Sequence, residues 1–417
     1  MESVTRGSAS TARVSRVVHS SPVEAPPRSG FGHRAPMPWP LPPHVEELMV
    51  SQHGVATARQ LDGLGLSPRR LRSASRAELL VRLHRGAYAL GTAWAGASPE
   101  VRHCMRLLAV QLAAVDAIAW GATATIAWGL PVRRVPDLPT VRRAPERGST
   151  AGAVVTRPAC AVSAPTRHAG LLVPSVAEAV VEVASSSCLS DALITVDAAL
   201  RRGVPGRDLL ALAQRRPAHL GRVRALQAIE WGDPGSESWL ESLSRGRMVE
   251  RRMPVPLCNV VLRRGQRTAR VDNLWPELGV VGESDGKGKY RRKGGQGDSR
   301  GESSQQNGVN EVIWREKRRH EWIEEIGFEV ARWGTAEVAE DGAAMETRFR
   351  RSVVLQQGAG FTWPDGVRAE MPLLKGVAPP VRVVSEVVRL QALGYPFTFV
   401  DHWQFPVDPQ RWAPEPL

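Results

Sequence analysis

From His44 onward, apolar positions begin to recur at helical spacing. Val45, Leu48 and Met49 share one helical face, and a second short helix follows through Thr57-Ala58-Arg59-Gln60-Leu61, with Thr57 close to a capping position. Gly63-Leu64-Gly65-Leu66 makes a tight turn. Ser67-Pro68 then opens a third helix, because Ser caps an orphan amide while Pro at the first helical position gives up no hydrogen bond. Leu80 to Leu90 changes to a period of two and turns near Gly86, as a β-hairpin does.

The next stretch is helical from Glu100 to Asp116, with Val101, Leu107, Leu108, Val110, Leu112 and Val115 on core positions. A second apolar segment, Ile118 to Leu130, reads as a helix in which Trp120 and Trp128 pack. Short strands are expected around Thr140–Arg143 and Ala153–Thr156, then amphipathic helices over Pro174–Ala184 and Asp191–Arg201. Nothing in this stretch has the spacing of a catalytic site, and His168 has no evident partner. Farther on, Ser238-Trp239-Leu240-Glu241-Ser242 begins a helix. A strand holding Asp272, a turn at Trp275–Gly279 and a strand ending near Glu283 form a hairpin with an acidic edge. Ile326 to Trp333 is a core strand after a basic helix, and Arg291 to Asn310 reads as a flexible basic loop. After Trp333 the periodicity is poor and Pro frequent, apart from a short helix over Val384–Ala392.

At 417 residues the chain is too long for one ordinary core and suggests two or three domains. Its 42% hydrophobic content can supply them, and no apolar run approaches the roughly 20 residues that cross a bilayer. Residues 1–43 are rich in Ser, Pro, Arg and Gly, without an apolar signal segment, and read as a disordered arm. Cys104, Cys160, Cys188 and Cys258 lie far apart, which points to reduced thiols in a cytoplasm rather than to zinc. The net charge of +13 attracts polyanions, nucleic acid first among them, although a GC-rich genome also inflates arginine.

Placement sharpens that charge. Arg69, Arg70 and Arg72 fall in the first turn of the third helix, where cations oppose the helix dipole at about 0.3–1 kcal/mol each. A phosphate or a guanine edge reverses that sign. Helix, helix, turn, basic helix and hairpin is the order of a winged helix-turn-helix, whose recognition helix enters the major groove. Arg82 and Arg85 on the wing join the candidate DNA contacts. A winged domain used for protein contacts fits the same pattern.

The acidic hairpin has its own chemistry. Asp272, Glu283 and Glu241 can be brought to one point by two adjacent strands and a helix. Clustered acids repel unless a proton or a divalent cation lies between them, and oxygen ligands favour a hard metal. Glu241 as an exposed helix acid is the plainer alternative, and Glu237 reads as a solvated residue at a helix start. Glu316, Lys317, Arg318 and Arg319 form one solvated helix face, of which Lys317 and Arg318 are candidate phosphate contacts.

Two resemblances follow from these motifs. The winged segment together with Ala192-Leu193-Ile194-Thr195-Val196-Asp197-Ala198-Ala199-Leu200-Arg201-Arg202-Gly203 resembles the abortive-infection type IV antitoxins of actinobacteria, over roughly residues 45 to 225. That implies a DNA-binding repressor module and a following domain that opposes a toxin partner. Gly235–Ser242, Pro254-Val255-Pro256, Arg270-Val271-Asp272, Glu283–Gly286 with Lys289-Tyr290, and Trp314–Arg319 are similar to the very-short-patch-repair-like domain of the PD-(D/E)XK nucleases. The resemblance implies that Asp272 and Glu283 bind Mg²⁺, or Mn²⁺ in its place, that Glu241 completes the shell, and that a lysine positions the attacking water. Here the chain departs from the pattern: the position two residues after Glu283 is Asp285, not lysine. Lys289 then has to reach in, or Asp285 becomes a further metal ligand.

The expected architecture is a multi-domain α/β chain: an arm over 1–43, a winged helix-turn-helix over 44–92, an antitoxin-like α/β domain over 93–230, a nuclease-like domain with a mixed central sheet over 231–337, and a poorly defined tail over 338–417. The expected function is a cytoplasmic DNA-binding protein whose Mg²⁺-dependent domain hydrolyses DNA phosphodiesters, with no membrane partner. The alternative is a non-catalytic transcriptional regulator or antitoxin with a toxin partner, its nuclease fold retained and its catalysis lost. RNA as substrate remains open.

Overall fold

Thr57 and Ser67 cap the second and third helices as the sequence predicts. In the computed structural model, which describes residues 40–143, 150–156, 164–285 and 302–400, with backbone alone over 302–313, α1 (Pro43–Ser51) is followed by β1 (Val55–Thr57), α2 (Ala58–Gly63) and α3 (Pro68–Arg76). Thr57 and Gln60 form a reciprocal capping box at α2, the Gln60 amide donating to Thr57 Oγ1 at 3.2 Å and the Thr57 amide to Gln60 Oε1 at 2.9 Å. The wing is β2 (Leu80–His84) and β3 (Ala87–Leu90), joined through Gly86 at φ +94°. The three strands form one sheet in the order β1-β3-β2, and α4 (Gly91–Gly96) closes the module. Val45, Met49, Val55, Leu61, Leu66, Leu71 and Leu80 are buried beneath it.

The middle of the chain contains α5 (Pro99–Ala113), β4 (Ile118–Ala119), α6 (Ala122–Ala127), β5 (Thr140–Arg142), β6 (Val154–Thr156), β7 (Thr166–His168), β8 (Leu171–Val173), α7 (Val176–Ser186), α8 (Leu189–Arg201), α9 (Gly206–Arg215) and α10 (Arg222–Glu230). The expected helix over Ile118–Leu130 is corrected. It divides into β4 and the short α6, because Gly121 at φ +54° breaks the backbone between them. Trp120 precedes that helix and Trp128 ends it. His168 does have a partner, since its ring stacks on Trp128 with centroids 4.3 Å apart.

The last part is built on α11 (Trp239–Glu250), β9 (Leu257–Arg264), β10 (Arg267–Trp275), β11 (Val280–Asp285), α12 (Glu302–Glu325), β12 (Glu329–Gly334), α13 (Thr335–Ala339), α14 (Ala343–Gly358), β13 (Val367–Pro372), α15 (Val381–Ala392) and β14 (Phe397–Val400). Its six strands form one mixed sheet in the order β12-β11-β10-β9-β13-β14. β9, β10 and β11 run antiparallel in sequence, and β12 returns parallel to β11 after α12.

Two expectations fail here. Of the tail expected over 338–417, residues 338–400 are part of the fold, because β13 pairs with β9, β14 pairs with β13, and Val367, Val387, Leu390 and Phe397 join the core that holds Val260, Val271 and Phe328; 401–417 lie outside the described residues. The flexible loop expected over Arg291–Asn310 is helical in its last part, since α12 begins at Glu302. A largely polar stretch offers no hydrophobic period, although Glu and Gln are good helix formers.

The chain is therefore α/β, with two mixed and two antiparallel sheets among the described residues. No helix among the described residues is long and apolar enough to cross a membrane.

Candidate nucleic-acid interface and acidic cluster

On α3 the two chemistries separate by face. Leu71 and Ala74 are buried against the winged module, while Arg69, Arg70 and Arg72 are exposed on the first turns. Ser67 caps the helix and Pro68 starts it, so the arginines project from an end whose geometry is fixed locally. Arg82 and Arg85 are exposed on and beside the wing, with Arg82 Nε donating to the His84 carbonyl at 3.3 Å. Basic side chains thus stand on both the helix and the wing.

The acids converge by a different route. The β10–β11 register pairs Asn273 with Gly282, which sets Asp272 beside Glu283. The Ser284 amide donates to Asp272 Oδ2 at 2.8 Å. Ser238 caps α11 and so aims Glu241 at the sheet, where its Oε2 accepts the Glu237 amide at 2.8 Å and Asn259 Nδ2 at 3.1 Å. Glu241 is not an exposed helix acid: it is 7% exposed, and Glu283 is 3% exposed. Burial, then the charge of Asp272, pushes Glu241 up to about 8. The same two causes push Glu283 up to about 7 against the pull of Arg319.

Arg319 departs from the solvated face expected for it. Its Nη1 and Nη2 donate to Glu283 Oε1 and Oε2 at 2.8 and 2.7 Å, Nη1 also to the Arg270 carbonyl at 2.7 Å, and Nη2 to Glu316 at 2.8 Å. Lys317 and Arg318 remain exposed on that face. The signal was present in the spacing: Arg319 precedes Ile323 by one helical turn, and Ile323 is buried in the core. Lys317 lies over the exposed Trp314 ring at 5.5 Å and 3.6 Å from Glu321.

Two further side chains take part. Glu237 is not merely solvated, because it pairs with Arg201 at 3.4 Å and with Arg270. Asn259, 5% exposed, holds Glu241 from a backbone at φ +52°, and its Oδ1 has no hydrogen-bond partner. No local pattern marks such an asparagine within a strand. Asp285 lies at the end of β11, exposed and 3.7 Å from Arg332, and Lys289 lies outside the described residues.

Carboxylates are the right donors for Mg²⁺, which requires near-octahedral oxygen coordination. As arranged, they do not fit it. Both oxygens of Glu283 are taken by Arg319, one oxygen of Asp272 and one of Glu241 accept amide N–H groups, and Asp285 is turned to Arg332. Among the described residues, no group of three or more His, Cys, Asp or Glu side chains is arranged to hold a metal ion.

Against known proteins, residues 45–91 match the family model described as a transcriptional regulator, AbiEi antitoxin. The match spans α1 to the end of the wing and supports the antitoxin-like reading of that module. No curated protein matches the chain. Among solved structures, the RV2827C protein from Mycobacterium tuberculosis is similar at 17% identity, over 52% of this chain and 82% of that one, with a TM-score of 0.30. A likeness at that level carries no argument about this fold.

Proposed function

We propose that this protein is a DNA-binding transcriptional regulator of the antitoxin type, docking through its winged module with α3 in the major groove. The observation that carries this reading is the match of residues 45–91 to the antitoxin regulators, over the segment that exposes Arg69, Arg70 and Arg72. Arg82 and Arg85 supply phosphate contacts from the wing, and Lys317 and Arg318, exposed on α12 of the C-terminal sheet, are separate candidate phosphate contacts. A toxin is the proposed protein partner, in keeping with the family's description. Fluorescence anisotropy on duplex DNA from upstream of the protein's own gene tests it. Saturable binding that excess unrelated duplex does not compete away supports the reading; equal affinity for every duplex, or none, overturns it.

A second reading, metal-dependent hydrolysis of DNA or RNA phosphodiesters, draws on the convergence of Glu241, Asp272 and Glu283, with Lys289 as the assisting lysine. It requires Arg319 to release Glu283. Plasmid cleavage with Mg²⁺ or Mn²⁺ tests it, comparing the wild type with Asp272→Ala, Glu283→Ala. Nicking by the wild type alone supports hydrolysis, and no cleavage with DNA binding retained removes it.

A further inference from the structure

We propose that Arg319 is the resident counter-cation of the acidic cluster, taking the charge-balancing role that a divalent metal would have and making this a metal-independent, arginine-closed site. The guanidinium is fully committed. A bidentate arginine–carboxylate pair is among the stronger and more directional charge-assisted contacts, and Arg319 makes one to Glu283 at 2.8 and 2.7 Å. The same group donates to the Arg270 carbonyl at 2.7 Å, on the strand that carries Asp272, and through Nε and Nη2 to Glu316 at 3.3 and 2.8 Å. All three of its nitrogens are therefore engaged, and both oxygens of Glu283 are used.

The helix bearing Arg319 is equally fixed. Trp322, Ile323 and Ile326, in the turns that follow, are 5%, 1% and 3% exposed within the core of the sheet. Removing the guanidinium by shifting α12 would strip those side chains from the core, so the arginine is held in place by packing as well as by charge. Glu283 is nearly solvent-free, and a buried carboxylate without a cation is costly. The inference concerns the C-terminal sheet alone and stands or falls independently of DNA binding by the winged module.

Isothermal titration with MnCl₂ and MgCl₂, together with thermal unfolding, reads this out on the full chain. The wild type is expected to give no saturable heat and no metal-dependent rise in Tm. Saturable Mn²⁺ binding by the wild type that Asp272→Asn abolishes overturns the proposal. Arg319→Ala is expected to lower Tm by several degrees and to recover part of that loss in millimolar Mn²⁺, because the cluster then lacks its cation. A Tm equal to wild type overturns the assignment. So does a loss that Mn²⁺ leaves unchanged, since the guanidinium would then act by shape rather than by charge. Should Arg319→Ala fail to fold, Arg319→Lys keeps the charge without the fork. It is expected to fold with a smaller loss of Tm, and a Tm at or above wild type overturns the proposal.

Discussion

Asp197 and Arg245 form an ion pair at 2.6 Å, and both side chains are fully buried. Asp197 lies on α8 and Arg245 on α11, so the pair ties the middle of the chain to the helix that carries Glu241. Their remaining polar atoms find partners too: Asp197 Oδ1 accepts the Asp233 amide at 2.8 Å, and Arg245 donates to Ser236 Oγ at 3.3 Å and to the Trp231 carbonyl. Removing one partner leaves a buried charge with no counter-ion, which costs about 3–5 kcal/mol. Asp197→Ala is therefore expected to lower the urea midpoint sharply. The double change Asp197→Leu, Arg245→Met should recover most of the loss, and a loss equal to the sum of those of Asp197→Leu and Arg245→Met made singly would contradict the pairing.

Gly246 sits where the same two helices approach closely, against Ser190. A Cβ built there would lie 2.3 Å from Ser190 Cα and 2.8 Å from its Cβ. Gly246→Ala forces α11 away from α8 and is expected to cost about 1–3 kcal/mol or more, as overpacking does, despite the better helix propensity of alanine. Equilibrium denaturation measures it, and an unchanged midpoint would show that the helices can part freely.

Glu241 gives the fold a pH dependence whose sign is defined. Its folded value, about 8, lies above the ordinary 4.5, so the folded chain prefers the protonated acid. That stabilisation is fully present below about pH 4.5 and is lost as the pH rises through about 8. Each tenfold change in proton affinity is worth about 1.4 kcal/mol, which puts the whole effect on the order of a few kcal/mol. Urea midpoints at pH 5.5 and 8.5 should fall with pH in the wild type and fall less in Glu241→Gln. Equal declines in the two proteins would remove Glu241 as the source.

Arg69 and Arg70 set the salt dependence of DNA binding under the regulator reading. Each phosphate contact adds about 0.9 to the slope of log affinity against log salt on duplex DNA. Arg69→Ala with Arg70→Ala is expected to weaken binding and to flatten that slope by up to about 1.8, two contacts' worth. Binding of unchanged affinity and slope would place the DNA elsewhere on the protein.

Much of the local architecture is written in the chain itself. Thr57 with Gln60, and Ser67 with Pro68, start their helices wherever the rest of the protein lies; Gly86 turns the wing, and Gly279 at φ +62° turns the hairpin that sets Asp272 beside Glu283. Capping, turns and hairpin register are short-range effects, so spacing alone reveals them. Only the tertiary structure decided the rest. It turned Arg319 inward onto Glu283, placed Asn259 under Glu241, joined Asp197 to Arg245, and added β13 and β14 to the sheet. These partners come from separate elements, and desolvation makes their pairing obligatory only after the surrounding core has formed. No pattern read along the chain carries that condition.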